Sequence, residues 1–373
     1  MTQATPSTDQ APSSPGAREK QAARPFLGYV HGFRSLAIVA VVATHVASGP
    51  LGWTPRGPFV TRLVQALILN GTVPFVLVAG FLFQYLSARF RYPRYLLTKF
   101  TNVILPYLIV SLPTLALQFI RRNGVFAAVP HEHPIDALPP LIGAVMTGRH
   151  MATPLWFIPV IAVFYLAAPL FIAIDRRPRL YWIILPLLAL AMLIHRPLEH
   201  KLVWQSAVYC LPVYMAGCWA SHHREPLLQW LSRHRTLVGG VFITLIAVEL
   251  FVLKRSGAVF SARPFSIERG VLDIDLPAKV LASLFALELL YRRQERLPVW
   301  MFHVAGASFG MFFVHEYIID ALTAMGRRTH LDLEGHGMLL FLPLTAFVAA
   351  TSYLITELTK RIFGHRSRMI IGS

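Results

Sequence analysis

The chain has 373 residues, of which 55% are hydrophobic and only 14% charged, and its mean hydropathy is +0.54. Soluble domains carry roughly a quarter charged residues, so water is excluded as the main solvent and a polytopic membrane protein is implied. A formal charge of +17 raises nucleic acid as a partner, but the basic residues bracket apolar runs instead of alternating with aromatics on a polar surface, which assigns the charge to membrane topology.

In chain order, residues 1–26 are rich in Ser, Pro, Ala, Gln and Thr and predict a disordered cytoplasmic tail. Ten apolar stretches follow, over residues 32–48, 64–86, 100–120, 154–174, 180–194, 203–221, 236–253, 276–291, 303–324 and 338–357. The first, fifth and eighth are short for a hydrocarbon layer about 30 Å thick. The two ends and the alternate connections hold 20 Lys and Arg, while the other five, mostly longer, connections hold 13. Cytoplasmic segments retain positive charge, so both termini are expected in the cytoplasm. The predicted fold is therefore an all-α polytopic membrane protein, a single bundle of about ten transmembrane helices spanning 27–360, with a cytoplasmic C-terminal tail over 361–373. Cys210 and Cys218 fall in one stretch, about 12 Å apart along a helix, too far for a disulfide.

Ionisable residues inside spans are costly in lipid and mark functional positions. Arg34 and His45 share the first span, three helical turns and about 16 Å apart, on nearly the same face. A forked, permanently charged guanidinium suits a phosphate or carboxylate, and neutral imidazole accepts a proton from a hydroxyl, a pairing suited to acyl transfer. The competing structural reading is a snorkelling arginine and a histidine bonded to backbone. The ninth span carries His315, Glu316 and Asp320, which cannot all share one face, so some pair should point into the bundle. Glu249 lies near the end of the seventh span and could orient an imidazole. Glu288 and Glu357 sit at helical spacing from Arg292 and from Lys360 and Arg361, which marks them as structural. Trp156 suits ring stacking on a ligand, or anchoring at the interface.

The residues Gly32-Phe33-Arg34-Ser35-Leu36 with His45 resemble the opening signature of the membrane-bound acyltransferase 3 family. Further pieces agree in order: 73–81 (VPFVLVAGF), Lys99-Phe100 followed by Ile104-Leu105-Pro106-Tyr107, Leu155-Trp156-Phe157-Ile158-Pro159 with Tyr165, and Ser308 to His315. Where that family often has Ser-Gly-Phe, this chain has Ala79-Gly80-Phe81, which removes a hydroxyl from that place.

The resemblance implies transfer of an acyl group, usually acetyl, from cytoplasmic acyl-CoA to a sugar hydroxyl of a polysaccharide or its lipid-linked precursor at the bacterial inner membrane. His45 would be the base that activates the hydroxyl, or the carrier of the acyl group. Arg34 would hold the donor's phosphates or pantetheine end, and Arg89, Arg91, Arg94 and Lys99 would attract the anionic nucleotide at the cytoplasmic mouth. His315, Glu316, Trp156 and Glu249 are the candidate substrate-binding residues. The expected partners are the lipid bilayer, acyl-CoA, the glycan acceptor and polysaccharide-assembly proteins, with no nucleic acid. No metal is expected: His131-Glu132-His133 lacks a third partner at ligand spacing, and His222-His223 fares no better. Two rivals stand beside this reading: a carrier using intramembrane His, Glu and Asp without covalent chemistry, disfavoured by the absence of an internal repeat, and an acyltransferase acting on a small hydroxylated metabolite.

Overall fold

The longest apolar runs become helices because hydrocarbon offers no partner for backbone N–H and C=O groups. The computed structural model describes residues 27–373 apart from 69, 130–132, 152–154, 199–201, 264, 266–270 and 330–331. It contains α1 (Gly28–Ser48), α2 (Phe59–Ile68), α3 (Thr72–Leu86), α4 (Tyr92–Lys99), α5 (Leu105–Arg121), α6 (Leu138–Thr147), α7 (Phe157–Leu166) and α8 (Ala168–Asp175). The second half contains α9 (Ile184–Ile194), α10 (Val203–His222), α11 (Arg224–Arg233), α12 (Arg235–Ala247), α13 (Asp275–Arg292), α14 (Val299–Thr329), α15 (Gly337–Phe363) and α16 (Ser367–Ile371). One two-residue parallel pairing, β1 (Arg196–Pro197) with β2 (Phe260–Ser261), ties two connections together. Among the described residues the chain is thus an all-α membrane protein with this single small exception.

Of the ten expected spans, five helices are long and apolar enough to cross a membrane among the described residues, or six when the bent pair α7–α8 counts as one. The differences have local causes. The second remains a candidate span, Phe59–Leu86, and Gly71 between α2 and α3 lies so close to α1 that a Cβ there would come within 2.4 Å of the Val41 nitrogen. The fourth bends by 58° between α7 and α8. The third is longer than predicted, a continuous 30-residue helix over Tyr92–Arg121 with a π-helical turn at Phe100–Ile104. Helices α10, α13 and α14 have 20, 18 and 31 residues, long enough to span, but they carry polar side chains that face the bundle interior.

Burial orders the helices. In α1, 61% of the apolar window is buried, against 22% in α12 and α15, so α1 is central and the others present Leu and Ile outward. Around α1 pack α3, α13, α14 and α15, while α10 lies against α3, α7 and α9. The α3–α10 crossing is the tightest: a Cβ on Gly80 would stand 2.0 Å from the Tyr214 carbonyl, and one on Gly217 the same distance from the Leu77 carbonyl. Small residues permit such backbone contact in membranes, where no hydrophobic effect drives helices together. Cys218 donates a weak 3.3 Å bond to the Gly80 carbonyl across this seam, and both cysteines are free and buried.

The C-terminal segment beyond residue 360 is helical and packed against the bundle. Helix α15 continues past residue 360 to Phe363, and the chain then folds back as α16 against α5 and the π-helical turn. The Gly310 N–H on α14 donates to Ser373 Oγ at 2.6 Å.

Candidate active site

Helix α1 carries Arg34 and His45 into the bundle. Near its beginning, the Arg34 guanidinium donates from Nη2 to Ser308 Oγ on α14 at 2.9 Å, and Ser308 in turn donates to the Ala305 carbonyl at 2.9 Å. Three turns on, His45 Nδ1 lies 3.1 Å from Glu316 Oε2, with side-chain exposures of 13% and 5%. With its proton on Nδ1, the imidazole donates to the carboxylate, and Nε2 is the nitrogen that carries the basic lone pair. His315 is fully buried, its ring 5.1 Å from that of His45 in an edge-on arrangement. Its Nδ1 donates to the Met311 carbonyl at 3.0 Å, and its Nε2 is a buried acceptor with no hydrogen-bond partner among the described residues. The pair pointing inward from the ninth expected span is therefore His315–Glu316; Asp320 is exposed.

The ligating atoms of His45, His315 and Glu316 all lie within 4.8 Å of one another, a grouping the sequence did not bring out and one that could hold a metal ion. Both Nδ1 atoms already face oxygen atoms, His45 toward Glu316 and His315 toward Met311. The chemistry this arrangement supports without any ion is a base oriented by an acid.

The Arg34 end opens into a cavity of about 510 Å³. Arg34, Arg91, Arg94 and Lys99 all line it, together with Ser308, Tyr95, Tyr165 and Asn102. Lys99 lies 5.0 Å from the Tyr165 ring centroid and 5.4 Å from that of Tyr95, so its charge is held over two π faces. Arg91 and Arg94 are exposed at the rim. Arg89 closes a short 3₁₀ turn before them, and its side chain lies outside the described residues. Gly372 completes one wall, so the folded-back C-terminal segment is part of the cavity, which nothing in the sequence pattern indicated. Apolar Phe75, Val78, Ala79, Leu82, Phe157 and Ile161 line its interior.

Two candidate substrate residues fall elsewhere. Trp156 is buried, with the Arg196 guanidinium 4.8 Å from its ring centroid, and does not line the cavity; its neighbour Phe157 does. Glu249 is buried in a π-helical turn over Val248–Val252, where the Gly257 N–H donates to Oε1 at 2.5 Å. Its surroundings are a polar network in which Asp275 accepts from Asn70 at 2.6 Å and lies 3.7 Å from Lys279, and in which Lys279 donates to the Ala66 carbonyl. Next to it, Asp273 accepts from Tyr209 OH, Val259 N–H and Leu276 N–H. Burial, reinforced by the Asp275 carboxylate, pushes Asp273 up to about 7.

The residues read as structural behave so: Arg292 sits 3.8 Å from Glu288, and Lys360 2.8 Å from Glu357. His222 pairs with Asp175 at 2.7 Å. His131 and Glu132 lie outside the described residues. Compared with known families, residues 27–357 match a family model described as an acyltransferase domain. Neither a curated protein nor a solved structure gave a match.

Proposed function

Because the chain belongs to the acyltransferase 3 family and is a membrane acyltransferase, we propose that it moves an acyl group, acetyl foremost, from cytoplasmic acyl-CoA to a sugar hydroxyl of a polysaccharide or its lipid-linked precursor at the bacterial inner membrane. The observation that carries this proposal is the pairing of a cation-rimmed cavity with a largely buried imidazole–carboxylate pair on the same two helices, α1 and α14. Arg91 and Arg94 at the rim suit the phosphates of coenzyme A, which a guanidinium binds in bidentate fashion. The apolar interior suits the pantetheine arm, and 510 Å³ lies within the ordinary range for such pockets. The nucleotide end would stay outside among the basic side chains.

A thioester is already a good electrophile, so the hydroxyl needs the help. His45 Nε2 accepts the hydroxyl proton while the oxygen attacks the thioester carbonyl. The new C–O bond forms, the C–S bond breaks, and the leaving thiolate takes the proton from the imidazolium. Glu316 holds the tautomer and stabilises the charge that the ring acquires in passing. Arg34, held by Ser308, stays at the donor end and orients the pantetheine arm.

The test is turnover in nanodiscs with acetyl-CoA and the cell's own lipid-linked glycan fraction. His45→Ala should lower transfer by about 10²–10⁴-fold while the protein stays monodisperse and still binds acetyl-CoA. Normal turnover in that variant would remove His45 from the chemistry. Mass comparison of surface glycan and small metabolites, with and without the gene, then distinguishes a glycan acceptor from a small hydroxylated one.

A further inference from the structure

The donor cavity and the His45–Glu316 pair are separated by aromatic side chains. Phe75 on α3, Phe157 at the start of α7 and Phe312 on α14 form a nearly equilateral triangle, with ring centroids 5.6, 5.7 and 5.7 Å apart. Phe75 and Phe157 line the cavity. Phe312 is buried behind them, and its centroid lies 6.2 Å from that of His315, the neighbour of His45. Along α14 the order is Ser308 at the cavity, Phe312 one turn further, and His315–Glu316 one turn beyond that. Rings at these separations are in van der Waals contact and leave no opening between them. Phe312 is also stacked against Phe75 at an interplanar angle of 13° and against the cavity-lining Phe309 at 14°.

We propose that Phe75, Phe157 and Phe312 form an aromatic gate that the acyl group must pass to reach His45, and that this gate limits the length of acyl chain the protein transfers. The inference rests on the acyl-CoA reading above and adds its selectivity. A two-carbon acyl group needs only a small parting of the rings, whereas each added methylene must displace more of the stacked set. The same closure keeps cavity water from the thioester once it lies beside His45, where water would attack in place of the sugar hydroxyl and give free carboxylic acid and coenzyme A.

Two measurements test this. In nanodiscs, kcat/KM is compared for acetyl-, butyryl- and hexanoyl-CoA. The unaltered protein should fall steeply along the series, and Phe312→Ala should raise the hexanoyl-to-acetyl ratio at least about tenfold, with Phe312→Leu intermediate. An unchanged ratio overturns the gate. Should Phe312→Ala not fold, Phe75→Leu and Phe157→Leu carry the same comparison. The second measurement does not depend on activity. With Cys210 and Cys218 buried, His45→Cys provides a reporter thiol, and inverted vesicles are treated with the charged reagent methanethiosulfonate ethylsulfonate. Adding Phe312→Leu should speed its modification severalfold; an equal rate with and without the substitution overturns the gate. Failure of the unaltered protein to bind acetyl-CoA would instead defeat the donor assignment, and the thiol measurement would still report on the rings.

Discussion

His45 and Glu316 stand 271 positions apart and meet at 3.1 Å. A carboxylate on Nδ1 fixes which nitrogen carries the proton, so Glu316 is worth more to the base than its modest Coulomb attraction. Glu316→Gln should therefore lower kcat by about 10²-fold or more, because an amide neither enforces the tautomer nor stabilises the imidazolium. The KM for acyl-CoA should change little, since the cavity is lined by other residues; parallel loss of binding would place Glu316 in the donor site. The Arg34–His45 relation was legible from the sequence because both lie on one helix, where spacing alone determines the face. The Glu316 partnership was not, because three polar residues within six positions of α14 left open which of them turned toward α1. Glu316 was accordingly expected at the substrate.

At the level of elements, the α3–α10 seam tolerates no added atom on either glycine. Gly80→Ala or Gly217→Ala drives a methyl into a carbonyl of the partner helix, and each should cost at least about 1–3 kcal/mol, read as a lower unfolding midpoint in detergent. Unchanged midpoints would mean that the seam is looser than described. A second element-level effect concerns the loop before α13. Asp273 has its folded pKa raised above the usual carboxylate value. Between about pH 4 and 7 the folded form then holds a proton that the unfolded form has lost, so stability falls as pH rises through this window and levels off above it. Asp273→Asn should flatten that dependence in midpoints measured from pH 5 to 8. The helical segments themselves were legible as apolar runs, since lipid leaves the backbone no other choice. The bend after Leu166 and the close approach of Gly71 to α1 were not, because they depend on packing against other helices and not on the run itself.

For the whole molecule, the distribution of Lys and Arg predicts which ends share a side. Reporter fusions at the C-terminus and between Arg176 and Arg179 should both register cytoplasm, and one near residue 131 the opposite face; one contrary signal would invert or break this topology. The convergence of Arg34, Arg91, Arg94 and Lys99 on a single cavity could be anticipated only as a charge cluster beside an arginine. The wall supplied by Gly372 could not, because residues 361–373 are short and basic and read as cytoplasmic overhang. The glycine seam also bears on how anything here can open. With its backbone pressed against α10, α3 cannot slide, so Phe75 acts as a fixed post. Helix α14 is pinned by Arg34 at Ser308 and by Ser373 at Gly310, on the flank of Phe312 that faces the cavity. What remains free to turn is the rings themselves. An acyl group would then pass by the parting of these packed rings, without rearrangement of whole helices.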